Sequence, residues 1–106
     1  MAKYLMRVGY TTEGVKGLLK EGGTGRREAV EKLAANLGGH IEAFYFAFGE
    51  DDVYVIGEFP DNVTAAAISL TVAGAGAAKI QTIVLLSPEE VDRATHTSVE
   101  YRPPGK

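Results

Sequence analysis

The side chains equipped for chemistry are few and scattered. None of the 106 residues is a cysteine, which excludes a thiol nucleophile, a disulfide framework and a zinc–thiolate site. The two histidines, His40 and His96, fall short of the three imidazoles of a common catalytic zinc unless carboxylates assist. His40 opens the stretch HIEAFYFAF at 40–48, whose aromatic content reads as a strand. On an alternating strand Glu42 shares its face, about 7 Å away. A His–Glu pair so placed can serve as an oriented general base, with His40 the candidate catalytic residue. The plainer reading is a strand-end histidine in solvent and a Glu42 paired to a lysine or arginine.

Arg7 lies within KYLMRVGYT at 3–11. Its planar fork of donors can hold a carboxylate or an enolate-like anion, or it can pair with Glu42 or Glu58, as charges drawn off the surface usually do. Tyr10, Tyr45 and Tyr54 carry hydroxyls that can donate to a developing oxyanion, although most strand tyrosines pack the ring. Glu50-Asp51-Asp52 gathers three carboxylates of the kind hard cations prefer. The spacing is not that of a calcium loop, and Asp52 is expected to bond turn amides instead. In Gly22-Gly23-Thr24-Gly25-Arg26-Arg27, helix-end amides and two arginines can hold an anion. No strand leads into this run and no Lys-Ser/Thr ends it, so it is neither a dinucleotide fingerprint nor a P-loop. Its glycines read more simply as a break between two helices. His96 falls in the tail, and nothing beside His40 supports a haem ligand. No metal and no cofactor are implied.

A chain that is 45% hydrophobic and 24% charged, with a net charge of −3, is an ordinary globular domain rather than a disordered segment. The negative balance argues against nucleic acid as the main partner. No run approaches the roughly 18 apolar residues of a membrane span, and MAKYLMRVGYTT lacks the pattern of a signal peptide. A cytoplasmic protein with no membrane partner is expected.

The periodicities give the elements that position these side chains. Residues 3–11 alternate as a strand. Val15, Leu18 and Leu19 begin a short helix, the Gly22–Gly25 run interrupts it, and Gly25 or Thr24 caps a second helix over about 26–37 with Val30, Leu33, Ala34 and Leu37 inward. The strands 40–48 and 53–59 form a hairpin around Gly49–Asp52. Asp61 or Asn62 caps a helix over 62–75, residues 78–86 are the last strand, and Ser87-Pro88-Glu89-Glu90 is a capping box opening a short helix to about Ala94. The order predicts an α+β, ferredoxin-like βαββαβ chain with a split first helix and an antiparallel sheet, both helices on one face. The domain spans 3–94, and 95–106 is a frayed tail.

Helices cover only one sheet face. Small residues such as Ala43, Ala47 and Gly57 suit the covered face. A three-residue turn then places Phe44, Phe46 and Phe48 on the open face with Arg7, His40, Glu42, Tyr54, Ile56 and Ile83. A two-residue turn would send the phenylalanines to the face of Val53 and Val55 instead. Three phenylalanines on an uncovered face make an apolar patch rare on monomers, which predicts a homodimer, or a multiple of dimers, closed face to face. Arg7, Glu42, Tyr54, Phe44 and Phe46 would line the space between the sheets and hold a small anionic or aromatic ligand.

The segments YLMRVGYTTEGVKGLLKEGG, RREAVEKLAANLGG and EAFYFAFGEDDVYVIGEFPDNVTAAA together resemble the GYD-domain family of small bacterial proteins, named for a Gly-x-Tyr-Asp turn, over residues 3–94. Gly49 and Asp52 match that turn, and Asp51 stands where the family usually carries tyrosine. The resemblance implies a ferredoxin-like chain similar to the dimeric α+β barrel group, and it implies no activity. The group includes cofactor-free monooxygenases, isomerases and haem proteins, but fold likeness is a weak warrant for any of them. A small-molecule binding or sensing module is the favoured expectation. A cofactor-independent monooxygenase or isomerase using His40 is the alternative, and a self-associating structural protein is the third.

Overall fold

A computed structural model describes residues 1–106. The chain runs β1 (Ala2–Tyr10), α1 (Thr12–Asn36), β2 (His40–Phe46), β3 (Val53–Phe59), α2 (Asn62–Ala75), β4 (Ala78–Leu85) and α3 (Pro88–Thr95). The four strands form one antiparallel sheet in the order β2-β3-β1-β4. This is the ferredoxin-like βαββαβ arrangement. α1 packs over β2 and β1, and α2 over β4 and β3.

Local chemistry explains the helix ends. The Thr11 hydroxyl accepts from the Gly14 amide, and the Asp61 carboxylate from the Thr64 amide at 2.8 Å. Ser87 and Glu90 complete a reciprocal capping box, which satisfies two amides that the first helical turn leaves free. Those bonds favour the ionised carboxylates, so Asp61 and Glu90 both titrate below their ordinary values. The expected break in α1 is sharper than the glycine run suggested. Only Gly22 leaves helical geometry, at φ +80°, a conformation glycine adopts without steric cost. Thr24 and Gly25 are helical and cap nothing.

The core lies between the sheet and the helices. Tyr4, Met6, Val53, Val55 and Phe59 from the strands meet Ala34, Ala65 and Ile68 from the helices. The Tyr4 hydroxyl donates to Asn62 Oδ1 at 2.6 Å, so the buried ring also fixes the first turn of α2. At the opposite corner Thr11 ties α1 to the start of β4: its amide donates to Ala77 O at 3.0 Å and its hydroxyl to Gly76 O at 3.0 Å. A Cβ on Gly14 would fall 2.1 Å from Ala77 O, so this approach requires glycine.

The hairpin register corrects the expected faces. Ile41 pairs with Gly57 and Ala43 with Ile56, so the partner strand advances by one residue where β2 advances by two, and Glu42 is the extra residue of a bulge. A bulge inverts alternation beyond it. His40 keeps the open face. Phe44, opposite Val55, and Phe46, opposite Val53, turn under the helices and pack against the core. Ala43 takes the open face in their place, and the hairpin loop runs over residues 47–52 rather than three. Phe48 lies in that loop with φ +53° and its ring stacked on Phe46 at 5.7 Å. α3 buries none of its residues. The molecule is 57 Å long, with a radius of gyration of 16.9 Å, against about 13 Å for a compact chain of this length.

Candidate functional site

The open face of the sheet carries Lys3, Leu5, Arg7, Tyr54, Ile56, Glu58, Gln81 and Ile83, which meet across the β3–β1–β4 pairings. Two charged groupings sit at its opposite ends. At one end Lys3 reaches Glu42 at 2.8 Å and Glu58 at 3.8 Å, and His40 Nε2 lies 3.4 Å from Glu58. The hydrogen bond to Glu42 is the main reason the Lys3 ammonium titrates above its ordinary value. The expected His40–Glu42 pair does not form: His40 lies against Glu58 and Glu42 against Lys3. His40 is 57% exposed and lines neither of the cavities described below.

The other end is built around Arg7. It stands opposite Tyr54 on β3 and Gln81 on β4, with its guanidinium 6.0 Å from the Tyr54 ring centroid. Neither Glu42 nor Glu58 reaches it. Its Nε and Nη2 instead close on Asp51 Oδ2 at 2.8 and 2.5 Å, and Glu50 lies 3.9 Å away. Hydrogen bonding and attraction from Asp51 hold the guanidinium firmly in its charged form. The 47–52 loop delivers that carboxylate because it is pinned to β1. The Asp52 amide donates to Val8 O at 2.8 Å, and the Asp52 carboxylate accepts from the Tyr10 amide at 2.7 Å. The Asp52 carboxylate thus bonds the strand beside it, and only its backbone carbonyl takes a loop amide, that of Ala47 at 3.0 Å. Each carboxylate of the acidic turn already has a protein partner.

Beside this ion pair lies a hollow of about 530 Å³, lined by Arg7, Tyr10, Glu50, Asp51, Lys79 and Gln81 among others. Lys79 makes no ion pair, in contrast to Arg7 and Lys3. The hollow therefore holds one cation already neutralised and one free to meet a ligand. Lys79 and Gln81 were legible as the polar positions of an alternating last strand. Asp51 and Glu50 had no such signal, because a loop residue's reach depends on where the loop is tied.

A second space lies on the other side of the sheet, between α1 and α2. It measures about 220 Å³ and is lined by 14 hydrophobic residues and Arg26. Phe44, expected between paired sheets, is one of its walls. Tyr10 and Ile80 border both spaces. Burial pushes the Tyr10 hydroxyl above its ordinary pKa, with Arg26 opposing that shift.

The pattern of elements, hairpin and acidic turn has a counterpart among known sequences, where residues 4–95 match the GYD domain. The chain belongs to the GYD domain family. No curated protein and no solved structure is significantly similar to it. In this GYD domain the turn reads Gly49-Glu50-Asp51-Asp52. Asp52 clips the loop to β1, and Asp51 neutralises Arg7. No helix is long and apolar enough to cross a membrane.

Proposed function

We propose that this GYD domain is a small-molecule-binding module that works as a dimer, with the open faces of two sheets apposed and the hollow beside Arg7 gripping the polar end of the ligand. The observation that carries this reading is the unpartnered Lys79 in a hollow of about 530 Å³ on the face no helix covers. Leu5, Ile56 and Ile83 give that face an apolar stripe, with Ile83 39% and Tyr45 71% exposed. Such a stripe favours association with a matching surface. The Arg7–Asp51 pair forms a fixed polar wall, and Lys79 supplies the charge for a small anion. Tyr54, beneath Arg7, presents an aromatic surface to the ligand body.

Native mass spectrometry of freshly purified protein tests the reading directly. A dimer or dimer multiple that keeps an extra mass, and loses it on Lys79→Ala, is the expected result. Ile56→Asp should divide the assembly without unfolding the chain. A monomer at micromolar concentration overturns the paired-sheet arrangement. An empty dimer unaffected by anions favours a structural role instead.

A further inference from the structure

The space between α1 and α2 has the wrong chemistry to be left as a packing defect. Val30 and Leu33 of α1, Ile68 and Val72 of α2, and Met6 and Val55 of the sheet line a cleft of about 220 Å³. A cavity of about 150 Å³ with aliphatic and aromatic walls stays dry and takes up benzene, so this one accommodates a somewhat larger body. One lining residue breaks the apolar pattern. Arg26 sits at the rim with its side chain 38% exposed, and its Nε is shut off from solvent yet donates to no acceptor. A buried donor without a partner is costly, and native proteins seldom leave one. Glu21 takes only Nη1, at 3.5 Å. Nη2 has no protein partner, and because Nε itself is covered, the partly exposed side chain must swing at the rim for its Nε–Nη2 edge to receive a carboxylate through two parallel bonds.

The backbone explains how the group arrives there. The Gly22 break divides α1 just ahead of Arg26, so the second half of the helix lies over the sheet independently of the first. The two-arginine run in the sequence is divided in turn. Arg27 pairs with Glu31 at 3.8 Å on the outer surface, while Arg26 borders the cleft. The Tyr10 ring closes the far side, toward the open-face hollow.

We infer that the cleft between α1 and α2 is a second ligand site, for a small amphipathic monocarboxylate whose aromatic or short alkyl body fills the apolar space and whose carboxylate is received by Arg26. The class follows from the lining. An apolar cleft disfavours a second charge, which would be buried unpaired, and its rim offers one cationic fork, 38% exposed. Sugars, nucleotides and metal ions find no match. The site stands on different residues from the open-face hollow and does not depend on dimerisation.

Titration of the full-length protein with benzoate and hexanoate, followed by backbone and methyl NMR, tests the assignment. Benzyl alcohol and hexanol serve as uncharged counterparts. The carboxylates should shift Val30, Leu33, Ile68 and Val72 in a saturable way and raise the melting temperature as ligand binding to the native state requires. Arg26→Gln should weaken carboxylate binding about tenfold or more, the loss expected of a charged hydrogen bond, and leave the alcohols unchanged. Arg26→Lys, which keeps charge without the fork, should recover part of the loss and serves also if Arg26→Gln folds poorly. Val72→Phe should abolish binding of both series. Lys79→Ala should change nothing, so failure here and failure of the open-face reading are separable. Absence of shifts in the cleft at millimolar probe overturns the assignment, as does carboxylate binding indifferent to both Arg26 variants.

Discussion

The two sides of the sheet solve opposite problems with the same strands. On the open face, charge is abundant and mostly settled: Arg7 with Asp51, Lys3 with Glu42, His40 beside Glu58. On the helix face charge is nearly absent, and its one representative, Arg26, keeps an unanswered donor. Paired charges in water contribute little net energy, whereas a single unsatisfied group in an apolar wall is expensive. The number of ionisable residues is therefore a poor guide to where a ligand is needed. The open-face hollow is the larger and richer in charge, with Lys79 its free handle. The cleft is smaller and more selective.

The predictions that break this contrast begin at the corner both spaces share. Gly14→Val drives a side chain into Ala77 O, 2.1 Å from where its Cβ would stand. It should cost about 4 kcal/mol, in the range reserved for a named steric fault, read as a drop in the urea midpoint, and it should disturb both spaces. Next come two neighbours on β2, of which the bulge turns Phe44 inward and Tyr45 outward. Phe44→Ala should lose about 3 kcal/mol, while Tyr45→Ala, at a side chain 71% exposed, should fall within about 0.5 kcal/mol of the parent. Equal losses from the two would refute the register. Arg7→Ala should destabilise less than Phe44→Ala but more than Asp51→Ala, because it strands a half-covered carboxylate. The double variant should recover part of the loss, and additivity of the two would show that the pair is not coupled.

The smallest expected effect lies at a cap. Asp61→Ala removes the acceptor for the Thr64 amide and should lower the melting temperature by about 4 °C. The Asp61 carboxyl titrates below its ordinary 3.8 because that amide and the Thr64 hydroxyl bond the ionised form. Its contribution is thus complete above 3.8 and fades as the pH falls through the lower folded value. The gap between the parent protein and Asp61→Ala should narrow below pH 3.8 and stay constant between pH 5 and 7. A gap that widens in acid would contradict the capping role.

Most of the framework was legible in the residues. The α2 helix over 62–75, the Ser87 capping box and the βαββαβ order of elements along the chain all follow from local rules, because caps, glycines and apolar spacing act over a few residues. Arg7, Tyr54 and Ile83 take the side of the sheet that alternation gave them. Phe44 and Phe46 do not, since a bulge leaves no periodic trace: HIEAFYF alternates equally well with either phase. The partners of Arg7 were likewise out of reach. Asp51 comes to it only because Asp52 is tied to Val8 and Tyr10, more than 40 positions away in the chain. Arg26 stood in a run whose anion-holding chemistry was visible, but most of the apolar walls around it come from five other elements.

The bulge at Glu42 also bears on how such a chain can change over generations. Loss of that one codon would make the ladder regular without moving any other side chain, since Ile41 and Ala43 would then be direct neighbours opposite Gly57 and Ile56, and Phe44 and Phe46 would stay beneath the helices. Substitution at the same position replaces only an exposed carboxylate and its bond to Lys3. Position 42 should therefore tolerate loss of the residue as well as a change of letter, and a deletion scan along β2 should find there a smaller fall in soluble yield than at Tyr45, whose loss would make Phe44 and Phe46 neighbours and turn one of them outward.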